Sequence, residues 1–286
     1  MQSGQRVAAV GMLVSGTLAV YKIAAGLIGH STAVFADGLE SAGDVFASGF
    51  VLLALTLAAK PADEDHPYGH GRAEILTGLL IGLVLTAVGA LISFNAFLRL
   101  GEPHLGPAHF VIWPLLVSLA AKSGLAAFKF RHGKRMRSAA LDADAWNDTM
   151  DALSATVALI AVSLALYDPA RFLDADRYGA FVVGLIVITS GLRVSHSTAM
   201  QLMDTMPAER LMSEIRAAAV LVPGVEGVEK CFARKTGLRY HVDLHLEVDP
   251  EMTVRQSHDI AHKVRLSILQ RLDWVADVLV HVEPAP

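Results

Sequence analysis

The sequence predicts a membrane protein: six spanning α-helices followed by a small α+β domain of order α-β-β-α-β. Three observations carry this. Long apolar runs recur through the first two hundred residues and cease at Met206-Pro207. The chain is 53% hydrophobic and 18% charged, with a mean hydropathy of +0.45, well above the usage of soluble domains. Beyond Pro207 the apolar residues change to the spacings of amphipathic helices and half-buried strands.

The spans fall at about 7 to 29, 32 to 59, 74 to 98, 109 to 130, 144 to 167 and 177 to 202. Each is long enough to cross about 30 Å of hydrocarbon at 1.5 Å per residue. The first, Val7 to Ile28, reads as a retained span and not a cleaved signal, because further spans follow it. Residues 1–206 therefore form the expected membrane domain and 207–286 the appended domain. Arg6, the connection with Lys60 and Arg72, and the basic connection Lys129 to Arg137 all lie on one side. The positive-inside rule puts that side, with both termini, in the cytoplasm, and the membrane is read as the bacterial inner (plasma) membrane. Within the third span, Gly78-Leu79-Leu80-Ile81-Gly82 is a small-xxx-small pattern that serves either a dimer contact or packing inside one chain.

After Pro207, Ala208 to Leu221 reads as an amphipathic helix and Val225 to Arg234 and Leu238 to Val248 as strands. Thr253 to Arg271 follows as a helix and Val275 to Val282 as a last strand. This order makes a ferredoxin-like domain with its helices on one face of a three-stranded sheet.

Ionisable groups inside the spans are the first functional signal, since a charge in hydrocarbon costs several kcal/mol unless paired or bound. In Phe35-Ala36-Asp37-Gly38-Leu39-Glu40-Ser41-Ala42-Gly43-Asp44 the three acids fall at i, i+3 and i+7, on one helix face. About a hundred residues on, Asn147 and Asp151 repeat the one-turn spacing of Glu40 and Asp44. Two such helices face to face would offer four oxygen side chains to one cation. Asp144 and Asp148 are either further members of this group or solvated residues at a helix start.

The loop Asp63-Glu64-Asp65-His66-Pro67-Tyr68-Gly69-His70-Gly71-Arg72 holds three acids and two histidines. Such a set suits a borderline divalent metal, or is simply a charged loop at the membrane surface. In the tail, His245 shares a strand face with His241, His281 and Glu283 alternate onto one face of the last strand, and His258 and His262 lie one helical turn apart. Five of the twelve histidines lie in the last eighty residues, and their pairing at these periods points to metal; His241 and His262 read as ordinary surface residues.

Glu40-xxx-Asp44, Asn147-xxx-Asp151, the loop Asp63-xx-His66-xxx-His70-Gly71-Arg72-Ala73-Glu74 and the histidine-bearing tail together resemble the cation diffusion facilitator family over nearly the whole chain. The resemblance implies a homodimeric exporter of divalent transition-metal ions in a lipid bilayer, driven by protons moving the other way. By its pattern Glu40, Asp44, Asn147 and Asp151 are the transport site, and Asp63, His66 and His70 a secondary loop site. His245, His258, His281 and Glu283 match a cytoplasmic binuclear site, and Arg72 and Asp204 an interlocking charge pair near the dimer contact. Departures bear on the ion. Neither Glu40 nor Asn147 is histidine, and an all-oxygen set favours Mn²⁺ or Fe²⁺ over Zn²⁺. Glu229 stands where similar proteins often carry histidine, and Cys231 close by is a possible thiolate substitute.

Other classes fit less well. A net charge of -4 and the lack of a basic tract with interleaved aromatics argue against nucleic acid. One cysteine excludes an internal disulfide framework. No span carries a His-Glu-x-x-His pair, so an intramembrane metalloenzyme is not indicated and no enzymatic activity is expected. The remaining alternative, a metal-sensing membrane scaffold of the same fold that transports nothing, has no need of acids in its spans.

Overall fold

A computed structural model describes the backbone of residues 2–136 and 139–286 and the side chains from Met12 onward, apart from Leu55 and residues 133–144. The side chains of Arg6, Lys134, Arg135, Arg137 and Asp144, which entered the readings above, lie outside the described residues. The chain divides into two compact units, Met1–Phe50 with Leu80–Ser195, and Val51–Leu79 with His196–Pro286.

The long helices are α1 (Gln2–Ile28), α2 (Thr32–Ala58), α3 (Arg72–Leu98), α4 (Ile112–Met136), α5 (Ala139–Tyr167) and α7 (Ala175–Leu202). Five helical stretches among the described residues, beginning at Thr32, Arg72, His109, Ala145 and Ala175, are long and apolar enough to cross a membrane, and Met12–Ile28 is a further apolar stretch. A 3-10 turn at His109–Val111 leads into α4, and the short helix α6 (Pro169–Phe172) was not anticipated. Asp168 caps α6 by accepting from the Ala170 amide, and Pro169 fits its first position because its missing N–H needs no partner there.

In the first unit, Asp176 at the start of α7 anchors α2. Its carboxylate accepts from the Thr32 amide and hydroxyl at 2.6 Å each, from the Ser31 hydroxyl at 2.6 Å and from the Ala33 amide at 3.3 Å. An anion on these otherwise unpaired donors also meets the positive end of the α2 dipole. The acid face of α2 is thereby set in azimuth. α1 approaches it closely at Gly38, where a Cβ would stand 2.8 Å from the Ile23 amide nitrogen. The small residues of α3 serve the same end: a Cβ on Gly82 would lie 2.9 Å from the Gly191 carbonyl of α7, and one on Gly89 2.8 Å from that of Gly184. At Gly82 the small-xxx-small pattern therefore packs within one chain, against α7.

In the second unit the tail folds as α8 (Glu209–Val220), β1 (Gly227–Thr236), β2 (Arg239–Val248), α9 (Val254–Arg271) and β3 (Val275–Pro284). The sheet order is β1-β2-β3, β1 and β2 antiparallel and β2 and β3 parallel across the α9 crossover. Met212, Ile215 and Ala219 of α8 and Ile260, Val264 and Ile268 of α9 bury against Val242, Leu244, Leu246 and Val248 of β2. Alternation along β2 leaves His241, Asp243, His245 and Glu247 on the opposite, open face. A capping box at Thr253 and Gln256 starts α9.

Candidate functional site

Three groups of ionisable side chains stand out. In the first unit, α2 and α5 bring their acids together. The Ser154 hydroxyl of α5 donates to Glu40 Oε1 at 3.0 Å, and Glu40 itself is 7% exposed. Asp44 faces Asp151 and the side chain of Asn147. Among the described residues, Glu40 Oε2 is buried without a hydrogen-bond partner. Of the four side chains matched to a transport site, Glu40, Asp44 and Asp151 converge at buried or half-buried positions, while Asn147 is largely exposed.

The membrane acids are not alone, and this is what the sequence reading missed. Lys122 of α4 reaches into them, with Nζ 2.5 Å from Asp151 Oδ2, 3.3 Å from Asp148 Oδ1 and 3.8 Å from Asp44 Oδ2. It also donates to the Ser15 hydroxyl of α1 at 2.9 Å. Lys129 Nζ lies 2.5 Å from Asp148 Oδ2. Lys22 of α1 lies 2.8 Å from Asp37 Oδ2 and donates to Ser118 at 3.1 Å. Asp148, at 3% exposure, is therefore not a solvated helix-start residue but a buried partner of two lysines. Asp37 belongs with Lys22. The signal was available, since Lys22 and Lys122 interrupt apolar runs as conspicuously as the acids do.

In the second unit the loop gathers Asp63, His66 and His70, whose ligand atoms all lie within 4.8 Å of one another. Asp63 Oδ1 accepts from the His66 amide at 2.7 Å and stands 3.2 Å from its Nδ1, while His70 Nε2 is 3.4 Å from Asp63 Oδ2. The His66 amide, followed by the two imidazoles, holds the Asp63 carboxyl below its ordinary range, so it is a ready anionic ligand. Gly69, at φ +79, makes the turn that folds His70 back towards Asp63. Arg72 Nη2 meets Asp204 Oδ1 at 2.9 Å, with both side chains about half exposed.

On the open face of the tail sheet, His245, His281 and Glu283 have ligand atoms within 4.8 Å of one another. Parallel register places His245 opposite His281, and Glu283 Oε1 reaches His245 Nδ1 at 2.5 Å and His281 Nε2 at 3.5 Å. Glu229, displaced by a bulge in β1, comes within 4.0 Å of His245. Side-chain hydrogen bonding with Glu229 and then with His245 keeps the Glu283 carboxyl below its ordinary range. One residue stands apart from the cluster and one expectation needs correction. His258 is exposed on α9, whose buried side covers the other face of the sheet, so within one chain the sheet separates it from this cluster. Cys231 points into the core at 5% exposure, and burial pushes its thiol up to about 11; it cannot supply a thiolate to the open face.

A model described as the cation efflux transmembrane domain matches residues 8–203, and one described as the cation efflux protein cytoplasmic domain matches residues 207–285. The chain is 31% identical over 287 residues to the manganese efflux system protein MneP of Bacillus subtilis, covering 99% of this chain and 97% of that protein. It is 31% identical over 301 residues to metal tolerance protein C1 of Arabidopsis thaliana, covering 99% of this chain and 63% of that one. A solved MamM C-terminal domain is 34% identical, covering 27% of this chain and 98% of that one, with a TM-score of 0.27. The chain is an integral membrane protein, and it belongs to the cation efflux, or cation diffusion facilitator, family.

Proposed function

We propose that the protein exports divalent transition-metal ions in exchange for protons, as a homodimer whose membrane site opens alternately to either side. One observation carries the reading. Glu40, Asp44 and Asp151 converge from α2 and α5 inside apolar helices, and Glu40 Oε2 has no hydrogen-bond donor among the described residues. Buried carboxylates in this setting want a cation. A carboxylate must lose its proton to ligate, so metal and protons compete for the same oxygens and a proton gradient can expel the ion. Asn147 has no proton to exchange, which leaves that role to the three acids.

All-oxygen ligation favours Mn²⁺ or Fe²⁺ over Zn²⁺, in keeping with the name of the manganese efflux relative. The chain crosses the membrane six times with both termini in the cytoplasm, residues 1–206 forming the transport domain and 207–286 the cytoplasmic domain. Asp63, His66 and His70 form a secondary loop site, and His245, His281 and Glu283 a cytoplasmic site that biases the transport equilibrium as metal rises. Arg72 and Asp204 serve as a charge pair near the dimer contact.

The test is metal uptake into proteoliposomes under an imposed pH gradient, with Mn²⁺, Fe²⁺ and Zn²⁺ compared. Native protein should favour Mn²⁺ or Fe²⁺, Asn147→His should move the preference towards Zn²⁺, and Asp44→Ala or Asp151→Ala should abolish antiport in folded protein. Normal uptake by either alanine variant removes the site assignment.

A further inference from the structure

We propose that Lys122 is a tethered counter-cation that competes with the transported ion for Asp44 and Asp151, and that Asp148 is the seat its ammonium takes while the ion is held. The inference rests on the reading of these acids as the transport site. Lys122 is 1% exposed, with its Nζ 2.5 Å from Asp151 Oδ2 and 3.8 Å from Asp44 Oδ2. A divalent transition-metal ion sits about 2.1 Å from a carboxylate oxygen. Ammonium and ion therefore claim the same volume beside Asp151, and only one can hold it.

The second seat already exists. Asp148 precedes Asp151 by three residues on α5, so the two carboxylates are neighbours on one helix face. Lys122 Nζ is 3.3 Å from Asp148 Oδ1 and 2.9 Å from Ser15 Oγ. A rotation near the end of its flexible four-carbon stem shifts the ammonium towards Asp148 without moving a helix. There it would complete a lysine-carboxylate-lysine arrangement, because Lys129 already stands 2.5 Å from the other Asp148 oxygen. Lys22 has no such second carboxylate among the described residues, meeting Asp37 at 2.8 Å and the Ser118 hydroxyl at 3.1 Å.

Among the described residues, the carboxylates of Asp37, Glu40, Asp44, Asp148 and Asp151 outnumber the ammonium groups of Lys22, Lys122 and Lys129 that meet them, so a divalent ion can enter without any lysine leaving the cluster. The benefit is release: an exporter whose carboxylates had no other partner would hold its ion too tightly, and a returning ammonium replaces the contacts the departing ion gives up.

The experiment titrates Mn²⁺ into full-length protein in nanodiscs by calorimetry, in a background carrying His66→Ala and His281→Ala so that the membrane site is read alone. The same proteins are assayed for uptake in proteoliposomes. Lys122→Met and Lys122→Gln should bind Mn²⁺ at least about tenfold more tightly and transport it more slowly, since a like charge beside the ion is removed. Asp148→Asn should bind it at least about tenfold more weakly, because the ammonium then has no second seat. If Lys122→Met fails to fold, Lys122→Gln and Asp148→Asn still decide the matter. Unchanged or weaker binding by the Lys122 variants, while Asp151→Asn abolishes binding, overturns the competitor role and leaves the transport site standing. Binding that survives in Asp151→Asn overturns the transport-site reading itself.

Discussion

Replacing Asp37 by Asn should destabilise the protein by about 3 to 5 kcal/mol, as removal of one partner from a buried ion pair does. Lys22 Nζ lies 2.8 Å from Asp37 Oδ2, both side chains are 1% exposed, and the ammonium also donates to the neutral Ser118 hydroxyl at 3.1 Å. Without Asp37 the ammonium keeps its full desolvation cost and loses its one close opposite charge among the described residues. Lys22→Met leaves the carboxylate in the same position and should cost a similar amount. Replacing both, as Lys22→Met with Asp37→Asn, removes the charge and the attraction together and should cost about 1 kcal/mol. The four proteins form a double-mutant cycle, measured by reversible unfolding in mixed detergent micelles and followed by helical circular dichroism. A coupling of at least about 2 kcal/mol is expected. Single-variant costs that add to the double within about 0.5 kcal/mol would show that the two charges do not balance each other.

Four further outcomes follow from the second unit. Cys231, buried and with its thiol pushed up to about 11, should resist alkylation near neutral pH in folded protein, and Cys231→Ser should leave tail metal binding intact; rapid labelling would contradict the burial. His281→Ala and Glu283→Gln should each lower tail metal affinity by at least about tenfold in calorimetry, the effect of losing a ligand or its partner. Gly237→Ala should cost about 1 to 2 kcal/mol, because Gly237 has φ +75 and its added Cβ would stand 2.8 Å from the Gly71 carbonyl oxygen. Burial, and then the Arg234 charge, hold the His241 imidazole below its ordinary value. The unfolded chain therefore takes up a proton that the folded one excludes, so this contribution is complete above about pH 6.5 and is lost as pH falls through the folded value. The native denaturation midpoint should drop more between neutral and mildly acidic pH than that of His241→Phe, and equal drops would contradict it.

Much of this protein is legible in its order of residues. Apolar runs of spanning length predict the long helices to within a few residues, except that α1 and α5 begin earlier and α4 ends later than the apolar runs, because helix length follows the width of hydrocarbon and the sequence records it directly. Period-two alternation likewise puts His245, His281 and Glu283 on one open face, and the i, i+3, i+7 spacing shows that Asp37, Glu40 and Asp44 share one side of α2. What each charge is for was not legible. Asp37 and Glu40 look equivalent as text, yet Lys22 from α1 takes one and Ser154 from α5 meets the other. Asp148 and Lys122 lie 26 residues apart and gain their roles only when α4 and α5 pack. Cys231 was misplaced for the same reason: a nearby number does not say which face of the sheet a side chain takes. Periodicity is a property of one element and is fixed by local geometry; the partner of a buried charge is a property of two elements, and only their packing decides it.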